Sequence, residues 1–223
     1  LASVVVGSSF ALLVGFSVLL SVLYSHPRVR LKTRPGFDLL VNMLGYGAGT
    51  TLAGLLAGQA AYFGADGNAC AAGGWRYVNW PGLQGSATQQ LETALNGGTG
   101  WVVLGFGLLF GSFYPLTQLY QVAEDRLRGD QTLSTKMGPR AALLLAILLG
   151  ILAGGAFLQG LLAKGVGWAL VLPGAALSAW LIHQINWFIK QPGLNSADEE
   201  NKMYRALTLW AVIDITLVAA WYL

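Results

Sequence analysis

Tyr114-Pro-Leu-Thr-Gln-Leu-Tyr-Gln-Val-Ala-Glu-Asp-Arg-Leu-Arg-Gly-Asp-Gln-Thr132 closes an apolar run that begins near residue 99. Such a run can cross a bilayer, which takes about 20 apolar residues. Its last turns are polar, however. Tyr114, Thr117, Gln118, Gln121 and Asp125 recur at i, i+3, i+4, i+7 and i+11, which is one face of a helix. Hydrocarbon rejects a polar stripe, so the spacing predicts that it faces a bundle interior or a wet cavity. Beyond it, the acids Glu124, Asp125 and Asp130 stand among the bases Arg126, Arg128, Lys136 and Arg140. Carboxylates interleaved with cationic groups suit a divalent metal held together with a phosphorylated ligand.

Outward from this stretch, the composition is that of a membrane protein. Of 223 residues, 55% are hydrophobic and only 10% charged, against about 25% charged in soluble domains. Runs of spanning length lie at 3–24, 37–63, 99–121, 141–163, 166–185 and 204–223. They predict an all-α, polytopic membrane bundle of about six transmembrane helices, with residues 1–223 forming a single transmembrane domain. The loops after the first, third and fifth runs hold eleven of the 13 Lys and Arg residues, and the opposite side has only Arg76 and Lys164. The positive-inside rule places those three loops in the cytoplasm and both termini outside. The net charge of +3 gives no reason to expect nucleic acid as a partner, and the single cysteine, Cys70, cannot form an internal disulfide. The chain starts at Leu1, already inside an apolar run, and reads as the latter part of a longer protein.

Smaller signals place the connections. Pro27, Pro35 and Gly36 break helix around the first basic loop, and Asp38 and Asn42 then sit one turn apart at the head of the second run. Gly45/Gly49 and Gly54/Gly58 are GxxxG pairs, which predict close helix approach; no strand precedes them, so they are not a dinucleotide fingerprint. Residues 64–98 form a long outer loop with Trp75 and Trp80 at the membrane interface and a short helix at 86–95. Ser196 or Asp198 is expected to cap the last helix. His183 reads as structural. Asp214, inside the last run, is open to two readings, a functional acid or a carboxyl hydrogen-bonded between helices.

The pattern Tyr114-Pro-x-x-Gln118-x-Tyr120-Gln121-x-x-Glu124-Asp125-x-x-x-Gly129-Asp130-x-Thr132, followed by Gly138, resembles the second aspartate-rich motif of the UbiA superfamily of intramembrane prenyltransferases. The loop Tyr24-Ser25-x-Pro27-x-x-x-Leu31-Lys32-x-Arg34-Pro35 resembles a second element of that family, in family order and on the same expected membrane side. The resemblance implies the last six helices of a nine-helix fold around a central cavity. It implies transfer of a prenyl group from a prenyl diphosphate to an aromatic or other lipophilic acceptor, with Mg2+ as cofactor. Asp125 is then the first candidate as catalytic metal ligand, direct or through water, with Glu124 and Asp130 as further ligands. Lys32, Arg34, Arg126 and Arg128 become candidates for the diphosphate, and Tyr114, Gln118 and Gln121 for lining the substrate site.

Two departures accompany the likeness. Family members commonly carry an aspartate four residues before the position of Asp125, where this chain has Gln121. The family's first aspartate-rich motif would lie upstream of Tyr24, and no such Asn/Asp cluster occurs there. The expectation is an N-terminally incomplete enzyme, inactive on its own. Two other classes compete with it. One is half of a transporter or channel, with the polar stripe guiding a cation. The other is a non-catalytic relative serving as an assembly or lipid-binding subunit.

Overall fold

The computed structural model describes residues 7–65 and 86–222, and every regular element among them is a helix. The long helices are α1 (Ser8–Ser25), α3 (Thr50–Ala65), α5 (Thr99–Leu119), α8 (Pro139–Ala163), α9 (Val171–Lys190) and α10 (Ser196–Tyr222). Short ones are α2 (Phe37–Asn42), α4 (Ala87–Leu95), α6 (Val122–Arg128) and α7 (Leu133–Met137). A π-helical segment, Met43–Gly49, joins α2 to α3 without a break. Most of the outer loop, with Cys70, Trp75, Arg76 and Trp80, lies outside the described residues.

Among the described residues, five helices are long and apolar enough to cross a membrane: Ser8–Ser25, Phe37–Gly58, Thr99–Leu119, Pro139–Ala163 and Ser196–Tyr222. This is the mark of an integral membrane protein. The remaining expected run, the fifth at 166–185, forms α9, a 20-residue helix. His183, Gln184 and Asn186 dilute its apolar character, and two of the three have interior partners. His183 Nε2 lies 3.0 Å from the Lys202 carbonyl of α10, in keeping with a structural histidine. Gln184 belongs to a buried polar knot described next.

Antiparallel α5 and α8 form the centre of the bundle. At Gly105 a Cβ would fall 2.5 Å from the Phe157 ring, so only glycine lets the two helices close. Phe157 in turn meets Phe106 edge to face, with centroids 5.1 Å apart. Lipid offers no hydrogen bonds, so polar groups between these helices must satisfy one another. The Ser112 hydroxyl donates to the Ala146 carbonyl at 2.7 Å. It accepts from the Trp180 indole N–H at 3.1 Å and the Gln184 amide at 2.9 Å. One hydroxyl thus ties three helices.

The GxxxG expectation needs correction. Nothing approaches a Cβ built at Gly45, Gly54 or Gly58, and at Gly49 only its own helix does. The close approach occurs at Gly47, where a Cβ would lie 2.7 Å from the Gly107 Cα of α5. The π segment shifts the helical phase, so the face toward α5 is not the one that a four-residue spacing marks.

The three basic loops share one end of the bundle. Arg30 pairs with Asp130 at 3.3 Å, and the Arg140 guanidinium sits 4.9 Å from the Phe188 ring centroid at the foot of α9. At the far end, the Ser9 hydroxyl donates to Ala87 O at 2.6 Å, and Lys164 donates to the Trp221 carbonyl. The cap of α10 is also corrected. Asn195 holds it, accepting from the Asp198 N–H at 2.9 Å, while Asp198 accepts from the Asn195 N–H at 3.4 Å. Asp198 is the return half of that box rather than the cap itself.

Candidate functional site at the basic end of the bundle

The polar stripe is not one continuous helix. α5 ends at Leu119, Tyr120 and Gln121 form a turn, and α6 starts afresh at Val122. Tyr114 and Gln118 therefore belong to the membrane helix, whereas Asp125 lies on a short helix beyond the turn. Gln121 Nε2 donates to the Tyr120 hydroxyl at 2.8 Å. Pro115 adds to the irregularity, since it cannot donate into its own helix.

α6 closes with Gly129 in the left-handed region, φ 73°. Gly129 N–H bonds to the Arg126 carbonyl at 3.2 Å and Asp130 N–H to the Asp125 carbonyl at 2.9 Å. These two bonds make a Schellman closure, which turns the chain back on itself. Thr132 then caps α7, accepting from the Thr135 N–H at 3.4 Å. The fold-back sets Asp130 and Thr132 beside Asp125. Thr132 Oγ1 donates to Asp125 Oδ2 at 3.4 Å.

Asp125 is buried, and burial pushes its carboxyl above the ordinary value. The neighbouring Asp130 charge pushes the same way, and the Thr132 hydrogen bond opposes both. The Arg128 charge also opposes the rise without forming an ion pair with Asp125. Glu124 points elsewhere, to an exposed i,i+4 pair with Arg128. Among the described residues, no three of His, Cys, Asp and Glu gather as a metal-holding group. Asp125 and Asp130 alone still fit magnesium, which commonly takes one or two carboxylates and completes its shell with water and phosphate oxygens. Beside them, Arg126, Gly129, Asp130, Thr135 and Lys136 line an open depression of about 400 Å3.

What holds this loop to the first basic loop is a residue that the sequence marked only by position. Asp38 is fully buried at the head of α2. Its Oδ1 accepts from the Gly36 N–H at 2.8 Å. Its Oδ2 accepts from Gln118 Nε2 at 3.0 Å and from the Leu133 N–H at 3.1 Å. Gln118 passes the connection on, accepting from the Ser134 N–H at 3.2 Å. Asn42 donates to the Asp38 carbonyl at 2.7 Å and to the Tyr24 hydroxyl at 3.4 Å. Tyr24 and Tyr114 hydroxyls meet at 3.1 Å. The available signal was an acid inside the head of an apolar run, which is costly unless it has partners.

The expected residues thus separate by place. Tyr114 and Gln118 belong to the buried clamp. Asp130 and Arg126 line the depression, and Asp125 is buried beside it against Thr132. Lys32 and Arg34 are exposed on the first basic loop, and Arg128 is engaged with Glu124. No family model, no curated protein and no solved structure matches the chain.

Proposed function

We propose that the protein is an intramembrane prenyltransferase of the UbiA type, moving a prenyl group from a prenyl diphosphate to a lipophilic acceptor with magnesium as cofactor. One observation carries this reading. The two sequence elements with the resemblance lie about 90 residues apart, yet they interlock through Tyr24–Tyr114 and Arg30–Asp130 at one end of the bundle. The site is cytoplasmic on the positive-inside argument. Asp125 and Asp130 are the residues that would hold magnesium. When bound, magnesium would neutralise the charge that grows on the departing diphosphate. Arg126 and Lys136, facing the depression, add positive charge to the same end, with Lys32 and Arg34 approaching from the first loop. Burial keeps water from the Asp125 carboxylate and strengthens its hold on a cation.

The test is transfer of a labelled prenyl diphosphate to a panel of lipophilic acceptors in membranes, with and without magnesium. Asp125→Asn in the full-length protein is expected to lower turnover by about 100-fold or more, a larger loss than Lys136→Ala gives. Near-normal transfer by Asp125→Asn ends the assignment.

A second reading, a non-catalytic diphosphate-binding relative, draws on Gln121 standing at the family's aspartate position and on Glu124 turned to Arg128. Magnesium-dependent binding of prenyl diphosphate without turnover on any acceptor would select it.

A further inference from the structure

A second polar group lies far from this site, within the membrane part of α10. At a rise of about 1.5 Å per residue, Asp214 sits roughly 14 Å along the helix from Arg205, well inside the apolar zone. Its Oδ1 accepts from the Trp210 indole N–H, one turn earlier, at 2.9 Å. Among the described residues, Oδ2 has no hydrogen-bond partner. The carboxyl borders a cavity of about 240 Å3 together with Tyr46, Thr50, Thr51, Phe106 and Trp210. Thr51 and Phe106 also line a second cavity of about 640 Å3, whose other walls include Gly54, Leu55, Leu161 and Leu217. The two cavities therefore adjoin, one with a polar end and the other apolar.

The surroundings restrict what can bind. Trp210 is held by T-shaped contacts to Phe110 and Phe113, at 5.2 and 4.7 Å, so its N–H is aimed at Asp214 by packing. The Thr50 hydroxyl donates to the Tyr46 carbonyl and the Thr51 hydroxyl to the Gly47 carbonyl at 2.9 Å, and both keep lone pairs free to accept. The polar end thus offers acceptors: Asp214 Oδ2 and two threonine oxygens. An acid at this depth without a second partner is expensive. A donor brought in by a lipophilic molecule removes that cost, while the adjoining cavity takes up the apolar body.

We propose that Asp214 and Trp210 form the polar end of a ligand site for a lipophilic phenol or alcohol, whose O–H donates to Asp214. The site is separate from the Asp125 loop, and its occupation needs neither diphosphate nor magnesium.

The experiment is equilibrium binding to the full-length protein in lipid nanodiscs, without magnesium or diphosphate. The probes are a radiolabelled alkylphenol, the matched alkylbenzene and the matched alkylammonium. The alkylphenol should bind saturably and tighter than the alkylbenzene. Asp214→Leu should weaken the phenol at least about tenfold and leave the alkylbenzene unchanged. Gly54→Leu, into open space on the wall of the larger cavity, should weaken both; it keeps the test alive should Asp214→Leu fail to fold. Equal binding of phenol and benzene, or phenol binding indifferent to Asp214→Leu, overturns the proposal. Tighter binding of the alkylammonium than of the phenol overturns it too, because the cavity is then a cation site.

Discussion

The two sides of this bundle are built on different principles. Around α5 and α8 the helices meet through glycines and aromatic rings, and 61% of the α5 span is buried. α1 is only 6% buried and attaches through hydrogen bonds at its two ends, Ser9 to α4 and Tyr24 to Tyr114. In lipid, where apolar surface gains nothing by leaving the solvent, tight association depends on shape fit and on polar bonds. One side uses the first and the other mainly the second. The candidate site lies on the seam between them, so its geometry depends on hydrogen bonds more than on packing.

The contrast can be broken at its strongest point. Gly105→Leu drives a side chain into Phe157 and should destabilise the bundle by about 3 kcal/mol or more. Gly54→Ala, on a face with nothing within 4 Å, should change little. Thermal unfolding in detergent, followed by size-exclusion of the remaining fraction, compares the two. Equal stability would remove the distinction between a packed and a loosely attached side.

The seam itself is tested at Asp38. Asp38→Leu leaves the Gly36 and Leu133 N–H groups and the Gln118 amide without their acceptor, at a cost of about 1–3 kcal/mol. Asp38→Asn retains one acceptor and should recover part of this. Cysteines placed at positions 30 and 130 should cross-link readily in the parent and poorly in Asp38→Leu. Unchanged cross-linking would show that packing, and not the clamp, joins the loops.

A smaller effect is expected where neither principle governs. Asn195→Ala removes the cap of α10 and should cost about 1 kcal/mol, whereas Ser196→Ala should be close to neutral. Thermal melts of both variants rank them, and the reverse order would return the cap to Ser196.

The smallest effect concerns pH. Because the Asp125 carboxyl is raised in the folded protein, its proton favours the folded loop. That contribution is full below the ordinary carboxylate range and is lost as pH rises through the raised value. Hydrogen-exchange protection of residues 122–132, corrected for the intrinsic pH dependence of amide exchange, should therefore rise on acidification, and this dependence should disappear in Asp125→Asn. A fall in the corrected protection on acidification in the parent would mean that the carboxylate already has a compensating partner.

Much of the architecture could be read from the sequence, because a membrane helix is specified by its own composition. The apolar runs and the clustering of Arg30, Arg126 and Arg140 on one side need no knowledge of partners. The close approach at Gly47 and Gly105 was hidden for the opposite reason. Which glycine matters depends on what stands across from it, Gly107 in one case and Phe157 in the other. The site was legible in part. Asp125 and Asp130 drew notice as charges in an apolar chain, but the Schellman turn that brings them together depends on backbone geometry at Gly129. Asp38 stood apart from the other acids in sequence, so its link to Gln118 and Leu133 had no local trace.

The π segment between α2 and α3 acts as a phase shifter within a single span. Asp38 and Asn42, ahead of it, are aimed at the polar clamp, while Tyr46 and Gly47, within it, are aimed at Phe110 and Gly107 of α5. Wide turns of this kind correspond to an extra residue accommodated inside an α-helix. Deleting one residue between Leu44 and Gly49 would rewind the segment and rotate everything after it by about 100°. The clamp would remain attached, and the deeper half of the span would present a different face to its neighbours. Chain length in these few residues thus sets the angular relation between the two chemical environments that the helix connects.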